Sequence, residues 1–500
     1  SAGSMPRHRC TMSMRSALGH LWGVGCAEWR RWICLVLALG LLGAPAALAQ
    51  DRARADARCE PGRDCPVLTL DAFLDQVLRT NPAARALRLE TDRARADLLD
   101  ARGGFDPVLL SGYEYKTEEN KDKLNVLRSG VTLPFDLPMS PSLMVDYRRG
   151  LGSSIDPSVS TSPAGETRFG LSFSPLQGFG TNTRRAALEK ARLAPRLAEA
   201  FQDRGRNLLL LDATRAFWSW VEAQQILQVN RELMALAAER RDFVVRQARA
   251  GETAAVDSVE AELAVVSREG KVAEARRKAE QASVTLAVFL WNEDGTPEAS
   301  RYTAPVLPGL PVEPDSALAV ATALDQRPEL REVALEQRQM QVEQRLAREQ
   351  LRPDLRLEAQ VVSYDDNPLG VTDVKLGFKI DQPLFFRSGR SEVAQAEIAM
   401  QALRFEQDLA RRAIRADVDA VLVALRQSLR RVSAAERRVE LAERLQEAEQ
   451  RRFELGESTL FLVNQREQAL AEAREERIAA QIDVLKADAS FQWATGAIGD

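Results

Sequence analysis

Two hydrophobic periods alternate along this chain, and the alternation runs through twice. From about Arg184 to Gly251 the apolar residues recur at helical spacing, as in Leu197, Phe201, Leu208, Leu211, Phe217 and Val221. A second such stretch runs from about Ser391 to Gly456 and carries Val418, Val421, Leu425, Leu429 and Val432. At ~1.5 Å per residue, helices of ~65 residues reach roughly 100 Å, a length that persists only when rods pack side by side. Each stretch ends at one glycine, in Ala250-Gly251-Glu252-Thr253 and Leu455-Gly456-Glu457-Ser458. Glycine supplies a left-handed cap, and Thr253 or Ser458 is expected to cap the returning helix. The return runs from about Ala254 to Trp291 and from about Leu460 to Trp493. Pro195 is expected to open its helix or to kink it.

Between the helical stretches the period drops to two. Leu355, Leu357, Ala359 and Val361 alternate with polar residues, as do Val374, Leu376, Phe378 and Ile380, around the turn-rich Asp365-Asp366-Asn367-Pro368. In the first half, Leu109, Tyr113 and Tyr115 match Phe169, Leu171 and Phe173 as outer strands. Two further candidates lie between them, Val131-Thr132-Leu133 with Phe135, and Leu143, Val145 and Tyr147. Strands of ~10 residues span an outer membrane when tilted, and Tyr113, Tyr115, Tyr147 and Tyr364 suit an aromatic girdle. Arg356, Lys375 and Lys379 would then line a lumen. The alternative is a soluble sandwich with one polar face, because alternation alone does not distinguish lipid from protein core. If the strands sit in lipid, several chains must share one barrel, since four to six cannot close one and open edges do not survive in hydrocarbon.

The two halves are copies. Pro82 to Pro107 superposes on Pro328 to Pro353 at an offset of 246, matching Arg85/Arg331, Leu89/Leu335, Glu90/Glu336 and Arg102/Arg348. Asp212, Gly251 and Glu252 fall on Asp417, Gly456 and Glu457 at an offset of 205, so the first copy carries 41 extra residues between these blocks. The division is a signal peptide over 1–49, a first repeat over 50–310 and a second over 311–500. In the first repeat strands occupy about 108–176 and the helical hairpin about 184–291. In the second, strands occupy about 354–381 and the hairpin about 391–493. The fold class is mainly α with a membrane β-barrel, and segments 51–68 and 293–327 read as connecting material.

Composition narrows the function. Arg30-Arg31, the apolar run Trp32–Leu42 and Ala47-Leu48-Ala49 have the form of a cleavable export signal, with an uncleaved anchor as the alternative. Translation starts at Met5, Met12 or Met14 on this reading. Without residues 1–49, Lys+Arg falls from 68 to 63 and Asp+Glu from 72 to 71, giving −8, which argues against nucleic acid as a partner. His8 and His20 leave with the signal, so neither a histidine base nor a histidine metal ligand remains. No dinucleotide or phosphate loop is present, and the many acidic pairs sit on arginine-rich helical faces. An enzyme is not expected, and neither is a cofactor or a metal site. Cys59 and Cys65 either close a small disulfide loop in an oxidising compartment or remain two free thiols.

These patterns together resemble the TolC-type outer-membrane efflux channel family, or outer membrane factors. The resemblance covers about Leu68 to Ala497. It rests on the duplicated plan, on Asn81-Pro82 and Arg327-Pro328 opening a helix in each copy, on Gln382-Pro383-Leu384-Phe385 and Ser174-Pro175-Leu176 after the last strands, and on the two glycine tips. It implies a homotrimer with one shared barrel in outer-membrane lipid, continued by a helical tunnel through the periplasm. The implied partners are a periplasmic adaptor (membrane fusion) protein and an inner-membrane transporter. The implied role is a passive exit duct of a tripartite efflux or type I secretion system, with a poreless periplasmic coiled-coil adaptor as the alternative.

By the same resemblance the entrance is built from Gly251, Glu252, Thr253, Asp257, Phe453, Gly456, Glu457 and Ser458. This chain departs from the family at Leu462 and Gln465, where acidic residues are expected, and at Phe453, which replaces a tyrosine of the latch. The first-copy insertion is another departure. It adds either two strands per chain, giving eighteen in a trimer where twelve are usual, or an extracellular loop.

Overall fold

The computed structural model describes residues 66–118, 121–151, 161, 165–251, 254–298, 302–364 and 373–498. The expected export signal, Cys59 and Cys65, Glu252 and Thr253, and the turn at 365–368 lie outside the described residues.

Two rods dominate. Helix α3 (Thr183–Ala250) and helix α7 (Arg387–Glu454) are each 68 residues long, roughly 100 Å. Every other helix among the described residues is shorter, and shorter helices are laid end to end beside these two. After the first rod, α4 (Ala255–Ala287) runs back along its lower half. The upper half is covered by α2 (Pro82–Gly103), which follows α1 (Leu70–Thr80). The joint between α4 and α2 is held by backbone carbonyls: Asn81 Nδ2 donates to Phe289 O (3.4 Å) and an Arg85 guanidinium nitrogen to Glu293 O (3.0 Å). Asn81 also caps α2 through Ala83 N (2.9 Å), with Pro82 in the first turn, where its missing N–H costs nothing.

The second half repeats this carpentry. Helix α8 (Leu460–Thr495) lies along the lower half of α7, and α6 (Pro328–Glu349) along its upper half, preceded by α5 (Ser316–Gln326). At this joint Arg327 is 5 % exposed, stacks 4.3 Å over the Trp493 ring, donates to Ala494 O and pairs with Glu329 (2.7 Å). The result is a row of four columns in the order α2/α4, α3, α6/α8, α7. Along most of their length the outer two columns, α2/α4 and α7, meet a single neighbouring column among the described residues, although α4 also touches α8.

Six antiparallel strands stand on the upper end of the row: β1 (Val108–Glu118), β2 (Lys121–Pro134), β3 (Ser142–Leu151), β4 (Glu166–Phe173), β5 (Asp354–Tyr364) and β6 (Asp373–Asp381). They pair in simple sequence order. Strand β1 leaves α2 and β6 feeds α7, so the sheet margins coincide with the margins of the helix row.

The main core lies at mid-height, where the composite columns are jointed. Phe73 stacks on Phe217 with centroids 5.5 Å apart, and Trp218, Trp220, Leu286, Leu290 and Ile482 close around them. Elsewhere the columns meet through small residues, with Ala435, Ala480 and Ala487 between α7 and α8 and Ala275 and Ala279 against Leu227. Small side chains let the rods approach closely, and ion pairs such as Arg431–Asp483 (2.7 Å) and Lys486–Glu222 (2.9 Å) fix their register.

Several expectations need correction. Pro195 sits inside α3, not at its start. Segment 293–327 is not only connection, because α5 occupies Ser316–Gln326, capped by Asp315 on Ala317 N and Leu318 N. The cap of α8 is Thr459, which accepts from Leu462 N, while Ser458 points elsewhere. The return helix α4 ends at Ala287, four residues before Trp291, and its cap residue is Ala254 with no side-chain bond.

Truncating the mid-height core is expected to be costly. Phe217→Ala removes a fully buried ring from the joint and should lower unfolding stability by about 3–5 kcal/mol, read by denaturant titration of the detergent-purified protein. A loss below ~1 kcal/mol would mean that the joint is not where the rods are fastened.

Candidate functional site

Ladder pairing sorts the sheet into two faces. Directly paired residues share a face, so Leu109, Val131, Val145, Phe169, Val361 and Val374 form one continuous apolar row. Leu171, Ala359 and Leu376 form another, and Phe173, Leu357 and Phe378 a third. Tyr113, Tyr115 and Tyr147 lie on this face, Tyr113 and Tyr147 at mid-strand and Tyr115 one step further from the helices. Tyr364 does not: it pairs with Glu166 on the opposite face, and its hydroxyl lies 2.8 Å from an Asp373 carboxylate oxygen. The apolar face is bare; Leu376 and Phe378 are 78 % and 76 % exposed.

The opposite face carries Glu114, Lys116, Arg128, Asp146, Arg148, Glu166, Arg168, Arg356, Glu358, Lys375 and Lys379. Its glycines, Gly112, Gly130, Gly150, Gly170 and Gly377, all lie on this side. A Cβ at Gly130 would stand 2.6 Å from Asp146 Cβ, and one at Gly150 would stand 2.1 Å from Asn125 O. Val126, Arg148 and Glu166 on this face are buried, whereas Leu127 and Val131 on the other are exposed. The sheet therefore curls toward its polar side, and glycine is needed where the strands crowd.

The extra hairpin of the first half belongs to this sheet. The β2–β3 connection turns back at the helix end, not at the outer end. Met139 and Ser140 take left-handed φ of 67° and 50°, Met139 N donates to Gly178 O (3.0 Å), and Ser174 N donates to Met139 O (2.6 Å). Asn182, the cap of α3, donates to Ser140 Oγ (2.5 Å) and accepts from Arg185 N (2.8 Å). Asp136 in the same turn pairs with Arg185 (3.1 Å) and Arg192 (3.5 Å).

At the far end of the row the two hairpin tips touch. Gly251 (φ 77°) and Gly456 (φ 75°) make left-handed exits from α3 and α7. Phe453 packs against buried Val244, Ala261 and Leu460, which joins the first tip to the second. Ser458 Oγ donates to Glu449 (2.5 Å), a buried carboxylate that also faces Arg452 and Arg466. Deeper in, Arg240 of α3 bonds buried Glu467 of α8 and reaches Asn464. Gly456 and Glu457 are exposed, and Asp257 is half-buried in the first turn of α4. The expected tip residues within the described region thus gather at one end. Arg240, Glu449 and Glu467 were missed because only burial, not spacing, marks them.

A third feature lies within the wall. A cavity of about 640 Å³ between α2, α3, α6 and α7 is lined by Glu90, Asp97, Arg204, Glu332, Glu336 and Glu406. Arg204 pairs with Glu332 at 2.9 Å, but Glu332 Oε1 is buried with no hydrogen-bond partner among the described residues. Burial pushes the Glu332 carboxyl up, Arg204 opposing, and burial with the nearby Glu406 charge does the same to Glu336. Burial would also raise Glu329, but the hydrogen bond from Arg327 prevails and holds it down.

Comparison with known proteins bears on this arrangement. The family model described as "Outer membrane efflux protein" matches residues 319–497. A search of curated proteins found no match. Solved structures with the same fold include the Campylobacter jejuni CmeC outer membrane channel, at 15% identity and TM-score 0.60 over 86% of this chain and 85% of that one. The Vibrio cholerae outer membrane protein VceC matches at 15% identity and TM-score 0.62 over 85% and 96% of the two chains. The open state of the Neisseria gonorrhoeae MtrE outer membrane channel matches at 17% identity and TM-score 0.62 over 85% and 88%. Among the described residues no helix is long and apolar enough to cross a membrane.

Two outcomes test the site. Replacing Arg240 by Met leaves the Glu467 carboxylate buried and unpaired, a cost on the order of 3–5 kcal/mol, while the Arg240→Met/Glu467→Met pair recovers most of it. Hydrogen exchange over 240–250 and 460–470 should accelerate in the single variant and return toward wild type in the double one. The raised carboxyls give a pH test. Their stabilisation is complete below the unfolded glutamate range and is lost as pH rises through the folded values. The Glu332 and Glu336 contributions should therefore grow as pH falls from 7 toward 5, so that Glu332→Gln stabilises less on acidification than wild type; Glu329, held down, works in the opposite sense. An unchanged pH slope in Glu332→Gln would remove that carboxyl from the account.

Residues 319–497 thus carry the outer membrane efflux protein domain, and the chain has the fold of the outer-membrane efflux channels, as the resemblance in its sequence implied.

Proposed function

We propose that this chain is one panel of a homotrimeric exit duct of the outer membrane. Its six strands stand in the lipid with the apolar face outward, and its helix row continues as a tunnel through the periplasm. The carrying observation is the bare, continuous apolar face set on a helix row whose margins run straight on from the sheet margins. Such a face in water would be an aggregation liability, and in lipid it is a solvated wall. Phe173 and Phe378 toward the helices suit the inner interfacial girdle, while Tyr113 and Tyr147 stand at mid-strand and Tyr115 one step further out. The duplicated plan agrees with this reading, since α2 and α6 have 22 residues each and α3 and α7 have 68 each.

The duct is passive and serves a tripartite efflux or type I secretion system. Small molecules or polypeptides move down it, and an inner-membrane transporter supplies the energy through a periplasmic adaptor. The entrance lies at the tips. Gly251, Glu252, Thr253, Gly456 and Glu457 offer the adaptor its surface, while Phe453, Ser458 and Asp257 belong to the closure behind it.

The deciding experiment is planar-bilayer recording of purified oligomer together with membrane fractionation. Stepwise conductance and outer-membrane recovery are expected; a soluble, non-conducting protein would favour the poreless adaptor instead. A point variant sharpens this. Leu376→Arg puts a charge on the proposed lipid face near mid-height, where about 2–4 kcal/mol is lost. Membrane-inserted protein should fall well below the wild-type level, whereas Glu358→Arg on the polar face should insert normally.

A further inference from the structure

The two sheet margins of this chain are complementary to each other. Strand β1 runs away from the helices and β6 runs toward them, so β6 of one copy would meet β1 of the next in antiparallel order. Both strands are anchored at the helix end, β1 by α2 and β6 by α7, which levels Ile380 with Leu109 of the next copy. That register sets Lys375 opposite Glu114, Asp373 opposite Lys116, Leu376 opposite Tyr113, and Gly377 opposite Gly112. The apolar faces of the two margins stay continuous across the seam, with Ile380 beside Leu109 and Leu376 beside Tyr113. A slip of two residues one way puts Asp373 against Glu114, and two the other way puts Lys375 against Lys116. One register pairs opposite charges, and both neighbouring ones pair like charges, which directly opposed strands disfavour.

The same register closes a barrel. A line across the ladder from Leu109 passes through Val131, Val145, Phe169 and Val361 to Val374. At the seam Val374 meets Tyr115 of the next copy, so the line advances six residues (109 to 115) over six strands. With ~3.3 Å per residue and ~4.8 Å between strands, the tilt is about 35°, within the range at which membrane barrels close. Nothing in the ladder allows β2 and β3 to drop out. They are its second and third members, and their connection is bolted to the α3 cap through Asp136, Ser140 and Asn182.

We propose that β6 of each copy pairs with β1 of the next in this register, so that three copies close an eighteen-stranded barrel. The inference rests on the trimeric duct reading above. Its consequence is width. Eighteen strands at that tilt enclose a backbone diameter of about 33 Å, against roughly 22 Å for twelve. Twelve helical columns, four per copy and ~9 Å apart, form a ring about 34 Å across. Barrel and tunnel then share one bore, and the membrane portion imposes no narrowing on a bulky cargo such as a polypeptide.

Charge exchange and a cysteine pair across the seam test this. Glu114→Lys and Lys375→Glu should each lower the trimer fraction on semi-native gels at least several-fold, and the double exchange should restore it. In the unaltered background, Ser111→Cys with Phe378→Cys should give disulfide-linked trimers under mild oxidation, and Ser111→Cys with Leu376→Cys, one step out of register, should not. Electron cryomicroscopy of the nanodisc-embedded protein should count eighteen strands. A trimer with twelve strands, or with seam cysteines that never link, overturns the register and the wide barrel but leaves the duct standing. A protein that is monomeric in bilayers overturns both.

Discussion

A helix of 68 residues has no inside of its own, and that constraint organises everything else. Its stability must come from lateral contact along its whole length, and the chain provides this by laying short helices end to end beside two long ones. The joints between the short pieces are weak points, because helix ends carry unsatisfied backbone groups. The large aromatic residues are concentrated at those joints, and Asn81 and Arg327 spend their donors on carbonyls exposed there. A thick belt at mid-height and thin, alanine-lined contacts elsewhere are two answers to one requirement.

The same logic governs the two ends. At the sheet end the rods are continued by strands, and the polar side of the sheet is crowded enough that only glycine fits at Gly130 and Gly150. At the tip end few large apolar contacts remain. Among the described residues, the cluster of Val244, Ala261, Leu460 and Phe453, the buried Arg240–Glu467 pair and the Asn230–Glu475 bond fasten the first hairpin to the second. Fastening by a few specific contacts, where the rest of the molecule is fastened by area, is the condition under which one end can open while the other stays closed.

Sequence periodicity was informative where a single period governs a long run. The rods, both glycine exits and most alternating strands lie within a few residues of where the pattern put them, but β2 begins at Lys121, ten residues before the Val131-Thr132-Leu133 that marked it, and ends before Phe135. It was uninformative where geometry rather than period decides. Helix α5 was hidden because eleven residues in a proline-rich stretch give too little periodicity. Ser458 was read as a cap because serine after glycine often caps, but Glu449 behind it competes for the hydroxyl and Thr459 takes the role. Tyr364 was grouped with the other strand tyrosines, although the parity of its position puts it on the polar face. The acidic wall cavity was invisible, since its carboxylates come from three helices far apart in sequence.

The margins connect these observations. A sheet that pairs every strand in sequence order, on a helix row in the same order, leaves its unsatisfied backbone groups at two lines only, along β1 and β6. In water those lines would be hazards, and edge strands are normally blunted by short length, proline or inward charge. Neither β1 nor β6 contains proline, both fall within the length range of the inner strands, and their inward charges, such as Glu114 and Lys375, face opposite charges across the proposed seam. An edge without proline or a bulge along most of its length is best protected when another strand covers it. Because the two edges differ in sequence and run in opposite directions, the covering strand is best supplied by the other margin of an identical chain. In the proposed trimer the contact is head-to-tail, and head-to-tail contacts close into rings when each step turns by the right angle. The curl toward the polar face supplies the turn.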